Sequence, residues 1–397
     1  DNEAKMIQKI VTDVSDKLNL TPSKVFEGMV GMEAHVKRLN SLLCLESDEV
    51  KMIGIWGPAG IGKTTIARTL FNKLSTIFPF KCFMGNLKGS IKGGAEHYSK
   101  LSLQKQLLSE ILKQENMKIH HLGTIKEWLH DQRVLIILDD VDDLEQLEVL
   151  AEDPSWFGSG SRIIVTTEDK NILKAHRIQD IYHVNFPSEE EALEILCLSA
   201  FKQSSIPDGF EELANKVAEL CGNLPLGLCV VGASLRRKSK NEWERLLSRI
   251  ESSLDKNIDN ILRIGYERLS KKNQSLFLHI ACFFNNQEVD YVTALLADRK
   301  LDVVNGFNTL ADRSLVRIST YDDGISVLSN SNLDVGNSSK TLADKFLMHI
   351  LTYGRIEMHH LLQQLGRQIV HEQSDEPGKR EFIIEPEEIR DVLTKET

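Results

Sequence analysis

The sequence predicts an α/β fold in which a parallel sheet carries helices on both faces, followed by a helical region. Three observations support this. Short apolar runs alternate with amphipathic helices from about residue 26 to 187, a glycine-rich loop separates the first run from its helix, and beyond residue 188 helical periodicity replaces the strand signal.

Taken in order, residues 1 to about 25 place Met6, Ile7, Ile10, Val14 and Leu18 on one helical face, with Pro22 closing it, and read as a linker helix. Strands are expected at 52–56, 82–84, 134–138, 162–166 and 182–184, each an almost uninterrupted apolar run of the kind a doubly covered strand needs. Between them Ile66, Leu70, Phe71 and Leu74 share one helical face, as do Leu103, Leu107, Leu108 and Ile111. Helices continue with Ala192, Leu193, Leu196 and Ala200, then Leu213, Val217 and Leu220, up to a break at Gly222-Asn223-Leu224-Pro225. From about residue 257 come further helices, including Leu276, Phe277, Ile280, Ala281 and Phe284, and a β-like Leu315-Val316-Arg317-Ile318. A Ser/Asn/Asp-rich stretch over about 319–345 reads as a flexible surface insertion. The expected domains are 26–187, 188–256 and 257–397.

A chain of 397 residues is long for one core, which agrees with that division. Asp and Glu outnumber Lys and Arg by 58 to 48, so no overall basic field exists to attract nucleic acid or anionic lipid. The apolar runs are too short to span a bilayer and the first residues carry no signal-peptide pattern. The six cysteines are scattered without a C-x-x-C pair and read as reduced, buried thiols of a cytoplasmic or nuclear protein. Opening on Asp1, the chain reads as a piece of something longer.

Chemistry concentrates at Gly57-Pro58-Ala59-Gly60-Ile61-Gly62-Lys63-Thr64, a complete P-loop pattern with a second hydroxyl at Thr65. It leaves an apolar strand and enters a helix, so successive backbone N–H groups and the positive helix end converge on a polyphosphate. Gly57, Gly60 and Gly62 allow close approach, Ile61 belongs to the same cradle, and Lys63 is expected on the β-phosphate and any γ-phosphate. Thr64 is the expected Mg²⁺ ligand, and Thr65 is placed to touch the α-phosphate. Downstream, Asp139 ends an apolar strand where the sheet edge meets the phosphates and is the second expected Mg²⁺ partner. Asp140 has two readings: it orients a hydrolytic water, or it caps the helix running from Leu144 to Leu150. Pro225 is either a first-turn helix proline or a ligand contact.

In this order the motifs resemble the NB-ARC module of plant TIR-NB-LRR disease-resistance proteins, STAND-class P-loop NTPases. Phe26 to Glu33 is similar to the opening segment whose backbone reads adenine, which implies Val30 as an adenine contact. Gly160 to Thr167 resembles the strand leading to the γ-phosphate sensor, Gly222 to Leu228 the GLPL motif, and Ile280 to Phe284 and Met358 to Leu362 follow in family order. Asp142 and Leu361-Leu362-Gln363-Gln364-Leu365-Gly366 suggest the TIR subclass. The sensor position after the paired threonines carries Glu168 where the family usually has Arg, and a carboxylate repels a γ-phosphate. His360 stands where the Met-His-Asp motif ends in Asp, whereas His359 is retained.

The resemblance implies a P-loop domain, a helical lid and a winged-helix domain that hold ADP or ATP with Mg²⁺, with Pro225 on the adenine face and His359 on the ADP β-phosphate. It implies an ADP-bound off state and an ATP-bound, homo-oligomerising on state, at most slow ATP hydrolysis, and a pathogen effector sensed indirectly. Flanking TIR and leucine-rich-repeat domains would complete the receptor. Two rivals are an AAA+-like motor, for which no convincing arginine finger is present, and a winged-helix DNA-binding regulator, whose candidate helix from Val304 to Arg313 offers Asn305, Asn308, Asp312 and one Arg. Neither membrane nor nucleic-acid binding is expected.

Overall fold

A computed structural model describes residues 29–85, 87, 89–91, 96–114, 117, 119–252, 254–297, 302–320 and 354–395. The expected linker helix over 1–25 lies outside them, as does the expected insertion apart from Ser319 and Thr320, which end a strand. The chain divides into two compact units, 1–195 and 196–397.

In the first unit α1 (Met32–Leu43) precedes β1 (Lys51–Trp56), which feeds α2 (Lys63–Leu74). There follow β2 (Phe80–Met84), α3 (Glu96–Leu112), α4 (Thr124–Leu129), β3 (Val134–Val141), α5 (Leu144–Ala151), β4 (Arg162–Thr167), α6 (Lys170–Ala175) and β5 (Asp180–His183). The five strands form one parallel sheet in the order β2-β3-β4-β1-β5. Residues Val134 to Leu138 of β3 are fully buried, which is why this strand reads as unbroken apolar sequence. Residues Leu103, Leu107, Leu108 and Ile111 of α3 are buried in the same core.

A buried cation fixes α1 to this sheet. Arg162, at the start of β4, has no exposed surface and gives its five N–H donors to the carbonyls of Leu43, Cys44, Ser47, Glu49 and Ser161, at 2.5 to 2.9 Å. Two of these carbonyls end α1, where a positive charge also complements the helix dipole.

The helix α7 (Glu189–Ala200) opens on a reciprocal capping box: the Glu191 N–H donates to Ser188 Oγ and the Ser188 N–H to Glu191 Oε2. Its last residues belong to the second unit, with α8 (Glu211–Cys221), α9 (Pro225–Leu235), α10 (Lys240–Ser252) and α11 (Lys256–Glu267). Phe201 stacks on the buried Trp243 with ring centroids 5.2 Å apart, and Phe210 meets the same indole edge-on.

After α12 (Lys271–His279) comes a π-helical turn, Ile280–Phe284, then α13 (Val289–Leu296) and α14 (Val303–Asp312). An antiparallel pair, β6 (Arg317–Thr320) and β7 (Gly354–Glu357), follows, and Glu288 bridges to Arg355. Three helices with this hairpin make a winged-helix domain. The chain continues into α15 (His360–Glu372) and α16 (Pro386–Lys395). Gly366 of α15 packs on the Ala281 methyl, and a Cβ at 366 would overlap it, so the sequence motifs 280–284 and 361–366 meet here.

Several details differ from the sequence reading. On α8 the buried face is Ala214, Val217, Ala218 and Cys221, with Leu213 and Leu220 at its edges, a rotation of one position that small residues permit. The second strand starts at Phe80, and Val184 lies just past β5, although its N–H still donates to Trp56 O at 2.9 Å. Cys44 and Cys229 are exposed, whereas Cys82, Cys197 and Cys221 are buried, and none of the six cysteines is in a disulfide.

Candidate functional site

The glycine-rich loop bridges β1 and the N-terminus of α2. Gly60 and Gly62 take φ of +76° and +104°, which a side chain strains to adopt, and a Cβ built at Gly62 would meet nothing within 4 Å. The loop thus presents main chain over open space at the start of a twelve-residue helix, the arrangement that binds phosphate. Behind it Ile61 is buried, and a Cβ at Gly57 would press on Ile61 and Val184. Thr65 is half-buried in the first turn of α2. The Lys63 ammonium, almost fully buried, donates to the carbonyls of Gly57 and Pro58 at 3.0 and 2.9 Å, so the cation lies back along its own loop.

Thr64 donates its hydroxyl proton to Asp139 Oδ1 at 3.0 Å. A hydroxyl that has given away its one proton keeps lone pairs for a cation. Among the described residues no three His, Cys, Asp or Glu side chains converge, and Mg²⁺ is usually held by one or two carboxylates together with phosphate and water. A hydroxyl beside a carboxylate is a donor set that would fit Mg²⁺, with Thr64 and Asp139 as the residues that would hold it.

The acidic motif holds a finding the sequence did not announce. Thr166, fully buried in β4, donates to Asp139 Oδ1 at 2.7 Å and accepts the Asp140 N–H at 2.9 Å. Asp140 sits at φ +60° where the β3–β4 register shifts. The cap of α5 is Asp143, whose carboxylate takes the Glu145 N–H at 3.0 Å within a capping box, so the capping alternative for Asp140 does not hold. Asp142 ties the motif to the neighbouring loop. Its carboxylate accepts from the Gly89 N–H and from Gln146 Nε2, and the buried Gln146 also donates to Leu87 O at 2.7 Å.

At the end of β4, Thr167 is buried and donates to Val141 O at 2.7 Å while accepting the Asp169 N–H at 3.1 Å. Glu168 is half-buried, and its carbonyl accepts the Trp56 indole N–H. Val30 lies in the turn entering α1, beside Gly31 at φ +74°, and a Cβ at Gly31 would come within 2.7 Å of Glu191 Oε1.

In the second unit Gly222 closes α8 in the left-handed region and Pro225 is the first residue of α9. His359 is the N-cap of α15. Its Nδ1 accepts the Leu361 N–H at 3.2 Å, which places the ring proton on Nε2, 2.8 Å from the Gly222 carbonyl. Burial pushes the His359 pKa down, the Gly222 bond opposes this and His360 adds to it, so the ring is neutral at pH 7. His360 is exposed at the first position of α15.

The first unit therefore places Gly57, Gly60, Ile61, Gly62, Lys63, Thr64, Thr65, Asp139, Asp140, Thr167 and Glu168 at one edge of the sheet, and adds Thr166. Within the second unit, the expected motif residues Gly222 and His359 touch. Thr166 escaped sequence reasoning because its partners are far along the chain, the only hint being a hydroxyl in an otherwise apolar strand end; for Gln146 the signal was its place three residues after Asp143, a capping-box spacing, whereas its bond to Leu87 had none.

A parallel sheet in this order, with a phosphate loop after β1 and an acidic motif ending β3, defines a nucleotide-binding P-loop protein. Comparison with known proteins narrows that class. Residues 32–206 match the NB-ARC domain, and residues 270–325 and 323–374 match the winged-helix domain of Roq1-like disease resistance proteins. The Arabidopsis thaliana disease resistance protein RML1B is 50% identical over 394 residues, 99% of this chain and 36% of RML1B. TAO1 and RPP5, disease resistance proteins of the same plant, are each 46% identical over the whole chain, which covers 31% and 25% of them. The chain thus carries an NB-ARC domain followed by a winged-helix domain of the Roq1-like kind, and it spans about a third or less of the length of these relatives.

Proposed function

We propose that this chain is the ADP/ATP switch of an intracellular plant immune receptor, cytoplasmic or nuclear, with ADP in the off state and ATP in an oligomerising on state. The observation that carries the reading is the cluster of loop amides, Lys63, Thr64 and Asp139 at one sheet edge. Lys63 exchanges its two loop carbonyls for phosphate oxygens. Thr64 and Asp139 hold Mg²⁺, which supplies charge neutralisation at the phosphates. Val30 reads adenine through its backbone, with Pro225 on the base. His359 contributes the ring proton it now shares with Gly222 to the ADP β-phosphate.

In this proposal nucleotide is a ligand more than a substrate, with Asp140 orienting water for slow hydrolysis. The carboxylate at Glu168 disfavours a third phosphate and speaks against a motor. Flanking TIR and leucine-rich-repeat domains and an indirectly sensed effector complete the receptor. A DNA-reading role for α14 finds little support: the Asn305 amide donates to Asp302 at 2.7 Å, and Arg313 donates to the Arg268 carbonyl. No helix among the described residues is long and apolar enough to cross a membrane.

The test is mass identification of the nucleotide carried by freshly purified protein, alongside Lys63→Ala. Wild type is expected to carry ADP and the variant none. A Lys63→Ala protein that keeps ADP through purification would overturn the site.

A further inference from the structure

We infer that Thr166 is a positioning residue that sets the Mg²⁺ affinity of the phosphate site by holding the Asp139 carboxylate and the Asp140 backbone N–H at once. The inference rests on the nucleotide-binding reading above. It begins with the backbone. The register of β3 against β4 shifts between Leu138 and Val141, and Asp140 within that shift takes φ +60°. Such a bulge re-aims successive side chains, so Asp139 and Asp140 escape the strict alternation of a strand. A residue with a Cβ held in the left-handed region costs on the order of 1–2 kcal/mol and persists only where its surroundings fix it.

Here the fixing groups are two consecutive hydroxyls. Thr166 takes the Asp140 N–H, and Thr167 donates to the Val141 carbonyl, so the paired threonines hold the peptide groups on either side of the Asp140–Val141 peptide. They differ in what else they reach. Thr167 spends its lone pair on the Asp169 N–H, behind the strand end, whereas Thr166 spends its proton on Asp139 Oδ1. A hydroxyl has one proton and an amide can only donate, so both bonds of Thr166 have a fixed direction, and Asp139 must accept. Thr64 donates to that same Oδ1. The carboxylate that partners Mg²⁺ is thus oriented from two sides, by the loop and by β4.

The mount is rigid. Thr166 pairs in register with Ile55 of β1, has no exposed surface, and as a β-branched residue has few rotamers to choose from. Groups behind a metal partner typically change metal affinity or activity by roughly 10- to 100-fold when removed. The loop amides and Lys63 make no use of Thr166, so the metal-independent grip on nucleotide is separate from it.

The experiment is a titration of nucleotide-stripped chain with a fluorescent ADP analogue across Mg²⁺ concentrations and in EDTA, comparing wild type with Thr166→Val and Thr166→Ser. For Thr166→Val the Mg²⁺ needed for half-maximal retention should rise roughly 10-fold or more, with affinity in EDTA within about threefold of wild type; Thr166→Ser should return it close to wild type. A folded Thr166→Val with the Mg²⁺ dependence of wild type, or an equal loss in EDTA, overturns the inference. If Thr166→Val does not fold, Thr166→Cys, with its weaker donor, takes its place: an intermediate rise is expected and none refutes. A wild type that binds no nucleotide in either condition would instead overturn the nucleotide reading itself.

Discussion

Replacing His359 tests the second unit most directly, because this one ring holds two backbone groups. Its Nδ1 caps α15 through the Leu361 N–H, and its Nε2–H occupies the Gly222 carbonyl. Truncation to Ala removes a cap worth about 1 kcal/mol and a hydrogen bond worth about 1 kcal/mol net, more where the carbonyl stays unsatisfied. The expected loss is therefore about 2–3 kcal/mol. His359→Asn keeps a strong N-cap side chain but is too short to serve both groups, so it should lose about half as much. Protonation adds a second, independent signature. The unfolded ring titrates near pH 6.5, whereas burial lowers its folded pKa. Below about pH 6.5 the unfolded chain binds the extra proton first, so this contribution is present above that pH and is lost as pH falls through the folded pKa. Wild type should accordingly lose more stability than either variant between pH 7.5 and 5.5. Hydrogen exchange of the α15 amides, at one fixed ADP concentration because a bound ligand shifts apparent stability, reads both effects. Variants that protect α15 as well as wild type does, or that share its pH dependence, would refute this account of the ring.

Other outcomes follow from the same geometry. Gly62→Ala meets no atom and should cost only the left-handed strain of about 1–2 kcal/mol, yet it fills the phosphate cradle; nucleotide affinity by calorimetry should fall far more than thermal stability. Arg162→Lys loses at least two of five hydrogen bonds from a buried charged donor, about 3 kcal/mol at roughly 1.5–3 kcal/mol each; a scanning melt should show the first unit unfolding roughly 6–12 °C earlier. Glu168→Arg reverses a charge at the strand end, so the repulsion of a third phosphate becomes an attraction and competition binding should show ATP gaining on ADP, with an unchanged ratio refuting the sensor role of this position. A thiol reagent should label Cys44 and Cys229 quickly and Cys82 last, since burial and the Glu110 carboxylate beside it push the Cys82 thiol up.

The sheet was legible because doubly covered strands announce themselves as apolar runs, and each of the five expected runs lies at a strand. The helix break at Gly222 to Pro225 was equally plain, since a left-handed glycine followed by a first-turn proline is a local event. Roles set by distant partners were not. Arg162 reads as one charged residue at the edge of an apolar run, and only the fold brings Leu43 and Ser47 to it. Asp140 and Asp143 both precede an amphipathic helix at plausible capping distance; the bulge that turns Asp140 away is a pairing irregularity with no composition of its own.

A two-state switch needs ligands that differ in their preference for its states, and shifting one from mostly off to mostly on takes about 5.5 kcal/mol. In the proposed site the loop amides address the part of the polyphosphate that ADP and ATP share, and of the donors at this edge only Lys63 would also reach a third phosphate. Both threonines at the end of β4 point their protons inward, to Asp139 and to Val141, and the next side chain is a carboxylate. In the proposed switch this edge gives the third phosphate little to gain, so the off state is favoured by default. The differential binding that turns it on must then come mainly from contacts made by other parts of the receptor.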